Sequence, residues 1–144
     1  MEQTTQPGDP ARAFRIIHLG LIIGLVIVGA LFFALLRMRG PILANPIAGF
    51  VPAAVALVLL GAAFGVLRPR VPVRRPDQSS AAYWLGGDAR TSAFLLWTIV
   101  DAAGMAAWVG YFLSGQIAAA VVALIAIAAL IVFQPSRLEN RGAD

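Results

Sequence analysis

Apolar residues in this chain fall in four long blocks rather than in alternating patterns, and each block is bounded by breakers or charge. The blocks cover residues 14–36, 47–67, 91–113 and 117–133. Crossing the hydrocarbon layer of a bilayer takes about 20 predominantly apolar residues in a helix. The first three blocks meet that length and the fourth lies near its lower limit. The pattern therefore predicts an all-α integral membrane domain over 14–133, with four transmembrane helices arranged as two antiparallel hairpins. A signal peptide competes for the first block, because arginines precede it. The block is longer than an ordinary h-region, however, and no small-x-small cleavage site follows it.

The polar punctuation sets the boundaries. Residues 1–13 hold MEQTTQPGDP and read as a disordered tail. In GPILANP, Asn45 is placed to cap the second helix, with Pro46 at its first position. Pro52, a turn or so further in, removes a backbone hydrogen bond and is expected to bend that helix. RPRVPVRRPDQSS ends it, and residues 68–90 form an Arg/Pro-rich loop. Within that loop residues 81–87 read as a short interfacial stretch, and Asp88 as the N-cap of the third helix. Ser114-Gly115-Gln116 is so short a link that the third and fourth helices must be antiparallel neighbours. Gly115 can supply the left-handed residue of such a turn. Gln134-Pro135 stops the fourth helix, and residues 134–144 read as a soluble tail. The shared Pro-Arg endings of the second and fourth helices are a faint echo of a tandem repeat, which ordinary helix termination also explains.

Composition agrees with this pattern: 60% of the 144 residues are hydrophobic, only 12% are charged, and the mean hydropathy is +0.83. The net charge is +4, and every basic residue apart from the one histidine is an arginine. With four spans, Arg12, Arg15, Arg68, Arg70, Arg74, Arg75, Arg90, Arg137 and Arg141 share one side. Arg37 and Arg39 alone take the other. Nine against two puts both termini in the cytoplasm, by the excess of Arg and Lys in cytoplasmic loops. The same flanking arginines account for the high pI, so nucleic acid is not expected as a partner. The bilayer and its anionic lipids are. Absence of cysteine rules out disulfides and thiolate metal sites, and no cofactor or metal is expected. No phosphate loop, HExxH, nucleophile elbow or CxxC occurs, so the chain is not expected to be an enzyme.

The residue that stands out is Asp101, near the centre of the third block. An acid there costs about 2.5 to 3.5 kcal/mol on an insertion scale. An unpaired carboxylate at that depth is costlier than a neutral acid, so Asp101 is expected to take up a proton. Helical spacing places Trp97, Thr98, Gly104 and Trp108 around it. Asp101, Thr98, Trp97 and Trp108 thus form a candidate for an interhelix hydrogen bond or for proton or ion handling. Ala103, Ala107, Gly110 and Ser114 make a smooth opposite face for close packing. His18, one turn beyond Arg15, is expected near the interface and about 10 Å in depth from Asp101. Arg15, His18, Arg74, Arg75, Tyr83 and Trp84 are candidates for contact with anionic headgroups or a partner. Gly20 with Gly24 and Gly61 with Gly65 form GxxxG pairs. Together with Gly104 and Gly110 they are expected to serve helix packing, within the bundle first and in self-association second.

The stretch RTSAFLLWTIVDAAGMAAWVGYFLSGQ, with an arginine at its start and an acid in its middle, resembles the third helix of uncharacterised small four-span bacterial membrane proteins. The likeness extends to FRIIHLGLIIG and to the proline-stopped fourth helix, and it implies four spans and no known activity; the chain is expected in the bacterial inner membrane. Asp101 amid small residues is also similar to the mid-helix acid of rotary-ATPase proteolipid subunits. This chain departs from those hairpins: Asp101 lies in the first helix of its pair, and no Arg-Gln-Pro loop is present. The expected role is a non-catalytic structural or accessory subunit that packs against itself or a larger membrane complex. A proteolipid-like conductor of protons or cations is the alternative.

Overall fold

A computed structural model describes residues 10–43, 45 and 47–140. They form helices and short connections, with no strand among them. Three helices are long and apolar enough to cross a membrane, which fits an all-α membrane protein. Helix α1 spans Pro10–Arg39. Helix α2 spans Ile47–Ala62 and continues through a π-helical turn, Ala63–Leu67, into α3, Arg68–Arg70. Two further helices follow a loop: α4 (Ser80–Leu85) and α5 (Gly87–Ser114). The chain closes with α6 (Ile117–Val132) and α7 (Pro135–Glu139).

The helices run past the apolar blocks that announce them. Thirty residues of α1 measure about 45 Å, against roughly 30 Å of hydrocarbon, so its arginine-bearing ends continue helical beyond the apolar layer. Residues 10–13 are therefore helix, not tail, and the rest of the expected tail lies outside the described residues. Gly40, at φ 74°, closes α1 with its N–H on the Leu36 carbonyl. Asn45 accepts from the Ile47 N–H at 3.0 Å, while Pro46 falls outside the described residues. Helix α2 is unbroken through Pro52. It is wound wide further on instead, where the Arg68 N–H reaches back to the Ala63 carbonyl. That wide turn immediately precedes Pro69, whose ring would otherwise crowd the carbonyl one turn back. Asp88 is not a cap: Gly86 is the N-cap of α5, and Asp88 sits inside the first turn, where a negative charge still opposes the helix dipole favourably.

Packing departs from the hairpin reading more sharply. Helices α5 and α6 do form an antiparallel pair, turned at Gly115 with φ 70°. Helices α1 and α2 do not pair with each other. Both pack on α5 and α6, from opposite sides of that central pair. The physical reason is the small-residue face of α5. Ala103, Ala107 and Gly110 are buried, and a Cβ at Gly110 would meet the Gly49 carbonyl and the Pro52 ring at 3.0 Å. That contact takes α2 onto α5. Helix α1 runs parallel to α5 on another face: Phe32 stacks on Phe112 at 4.6 Å, and Leu25 fills the space left by Gly104.

The loop and residues 134–140 of the tail also pack on the bundle. Ser79 caps α4, its Oγ accepting from the Ala82 N–H at 3.1 Å. Helix α7 turns back across this end of the bundle with Pro135, Leu138 and Glu139 buried. Residues 135–139 are therefore docked, where the sequence reads a soluble tail.

Candidate functional site

The register between α1 and α5 fixes what surrounds Asp101. His18 lies against Trp97 at 4.9 Å between ring centroids, and Gly29 against Trp108. His18 is therefore about 6 Å along the helix from Asp101, closer than sequence spacing predicts. No hydrogen bond joins the two; His18 Nε2 donates to the Leu130 carbonyl at 2.9 Å. Nor do the expected donors serve Asp101. Trp97 Nε1 donates to the Phe133 carbonyl at 2.8 Å. The Trp108 indole N–H is buried without a partner among the described residues. Thr98 is exposed and unbonded to the acid. Asp101 is half-buried and its carboxyl has no hydrogen bond or ion pair among the described residues. It shares its side of α5 with Phe94, Thr98 and Met105, all of which face outward. The intrabundle hydrogen bond expected of this acid is thus absent among the described residues, and the carboxyl lies half-buried on that outward side.

The ring donors instead finish α6. The Ala129 carbonyl accepts from the Phe133 N–H, but those of Leu130 to Phe133 have no helical partner, and an apolar surrounding supplies none. His18 from α1 satisfies Leu130, and Trp97 from α5 satisfies Phe133. One helix end thereby ties three helices together. Phe133 is buried there, with Phe64 at 4.7 Å and the Arg68 guanidinium 5.8 Å over its ring.

A second polar cluster lies beyond this point. Glu139 is 5% exposed, and its carboxylate accepts from Trp84 Nε1 and, at 2.9 Å, from Ser80 Oγ. Trp84 stacks on Phe14 at 4.9 Å, and the Tyr83 hydroxyl donates to the Pro72 carbonyl at 2.7 Å. Tyr83 and Trp84 are therefore interior residues, 2% and 1% exposed, and not a headgroup belt. Trp84 joins α1, α4 and α7, stacked on Phe14 and bonded to Glu139, which offers the acceptor that a buried indole needs. Arg74 is committed within the chain, to the Gln78 carbonyl and to Asn140 Oδ1. Arg15 and Arg75 are exposed. The one local signal for Glu139 is that it is an acid four residues after the proline that starts the turn.

The glycines sort by space. A Cβ on Gly20, Gly24, Gly61 or Gly65 meets nothing within 4 Å, so neither GxxxG pair packs inside the bundle. Gly104 and Gly110 are close-packed, and so are Gly29 and Gly49, which no motif announces. Gly49 lies against the Ser114 hydroxyl, itself bonded to the Gly110 carbonyl at 2.8 Å.

No protein family, curated protein or solved structure matches this chain.

Proposed function

We propose that this chain is a non-catalytic structural or accessory subunit of a membrane assembly, formed with further copies of itself or with a larger complex. The observation that carries the reading is the Asp101 carboxyl, half-buried midway along α5 and unpartnered on an outward face. A polar group left in hydrocarbon is costly, and a donor from another helix removes that cost. The two open glycine pairs support the same reading, because they offer close approach that the chain itself does not use. Photo-crosslinking from Thr98 in native membranes tests it. Asp101→Leu is expected to weaken assembly by about 1 kcal/mol while leaving protomer stability unchanged, and Asp101→Asn to assemble normally. Unaltered crosslinking in Asp101→Leu would sink the reading.

The second reading, a proton- or cation-conducting proteolipid-like protein, draws on the same outward carboxyl. It requires Asp101→Asn to abolish proton or cation flux into vesicles with assembly intact. For either role we place the protein in the bacterial inner membrane, crossed four times, with both termini cytoplasmic. Helix α6, at 16 residues, is the short member. The arginine asymmetry supports the orientation. A reporter fused after Asp144 is expected inside and one inserted at Pro41 outside; the reverse result, or both on one side, overturns the arrangement.

A further inference from the structure

A cleft of about 460 Å³ opens beside the start of α1 and the end of α6. It exists because α6 stops at Val132 and the chain turns toward α4, while the neighbouring stretch of α1 continues uncovered. One end of the cleft is polar, lined by Arg15, His18, Gln134 and Ser136. The other is apolar, lined by Leu19, Ile22 and Ile131. Among the described residues the side chains of Arg15, Gln134 and Ser136 have no hydrogen-bond partner. The only side-chain hydrogen bond of His18 there is the one from Nε2 to Leu130. The one carboxylate of α7, Glu139, is occupied by Trp84 and Ser80 and so does not neutralise Arg15.

We infer that this cleft binds one anionic glycerophospholipid. The planar fork of a guanidinium can reach both non-bridging oxygens of a phosphodiester, and an amide and a hydroxyl add donors beside it. From Arg15 to Ile22 the helix descends about 10 Å, which carries a bound lipid from its phosphate to the upper part of its acyl chain. The apolar lining lies where that chain enters the hydrocarbon layer. A zwitterionic headgroup brings its own cation to a place already positive through Arg15 and the nearby Arg12. This site is separate from the Asp101 face and requires no particular orientation or oligomeric state.

Native mass spectrometry of the full chain, released from detergent with added phosphatidylglycerol or phosphatidylcholine, tests the inference. One equivalent of phosphatidylglycerol is expected to bind, and phosphatidylcholine about tenfold more weakly, because it keeps the phosphodiester contact but sets its choline cation against Arg15 and Arg12. Arg15→Gln, which alters the headgroup end, and Leu19→Trp, which fills the chain end, should each reduce phosphatidylglycerol binding about as much. Arg90→Gln, at another groove, should not. Equal binding of the two lipids overturns the inference. So does binding that neither cleft variant alters, or displacement of the lipid by inorganic phosphate at equal concentration. The same spectra report oligomeric state, so failure of the assembly reading is seen separately from failure of this site.

Discussion

Gly29→Ala should fold poorly, or lose about 1–3 kcal/mol of stability, while Gly24→Ala on the same helix should behave as wild type. A Cβ on Gly29 would overlap the six-membered part of the Trp108 indole. Trp108 cannot readily retreat: it is 8% exposed and held edge-on by Tyr111 at 5.9 Å between centroids. The overlap must therefore be relieved by separating α1 from α5, which also strains the Leu25–Gly104 and Phe32–Phe112 contacts. At Gly24 the added methyl enters open space. Thermal unfolding followed by fluorescence-detected gel filtration separates the two. Trp108→Phe should rescue Gly29→Ala by removing the ring that is struck, which makes the pair a coupled cycle. Equal stability of the two glycine variants would show that α1 does not seat on α5 as described.

Glu139→Ala should release the C-terminal turn. The substitution removes the acceptor of two donors, Trp84 Nε1 and Ser80 Oγ, and leaves a 1% exposed indole N–H without a partner. Hydrogen bonds to a charged group contribute about 1.5–3 kcal/mol, and an orphaned buried donor adds to the loss. Trypsin should then cleave after Arg137 many-fold faster, since Arg137 is already exposed and its local fold is what protects the bond. Glu139→Gln keeps one acceptor oxygen and should fall between the two. Unchanged cleavage in Glu139→Ala would mean that α7 is held by Leu138 and Pro135 alone.

The helices were legible because four apolar blocks of this length have few other uses. Their faces were not. In water an amphipathic stripe tells which side of a helix is buried, but lipid and protein interior are both apolar, so α1 carries no such stripe. Its inward side is marked by Phe14, His18, Leu25 and Gly29, which keep helical spacing but are mixed in type, while equally apolar residues fill the other faces. The same ambiguity made both GxxxG pairs read as bundle contacts, whereas isolated Gly29 and Gly49 hold those places. Asp101 was legible as an unusual residue at an unusual depth. Its lack of a partner was not, because that depends on Trp97 being drawn to Phe133 thirty-six residues away. Tyr83 and Trp84 misled for a related reason: each is buried on a distant partner, Trp84 on Glu139 in a tail whose polarity suggests solvent and Tyr83 on the Pro72 carbonyl in the loop.

The placement of α1 and α2 on opposite flanks of α5 and α6 bears on how the chain is made. The ribosome delivers α1 and α2 first, and at that stage neither has the surface against which it will rest. Gly29 has no Trp108 to meet, Gly49 has no Ser114, and the first two helices have no extensive seam of their own. They must wait in the bilayer, joined by the short link after Gly40, until the tightly turned α5–α6 pair enters between them. The contacts that seat α1 and α2 therefore cannot form before α5 and α6 are present, unlike those of two hairpins that each finish alone. An arrest of translation before Gly87 leaves two helices that the membrane can hold but that have nothing to fold against.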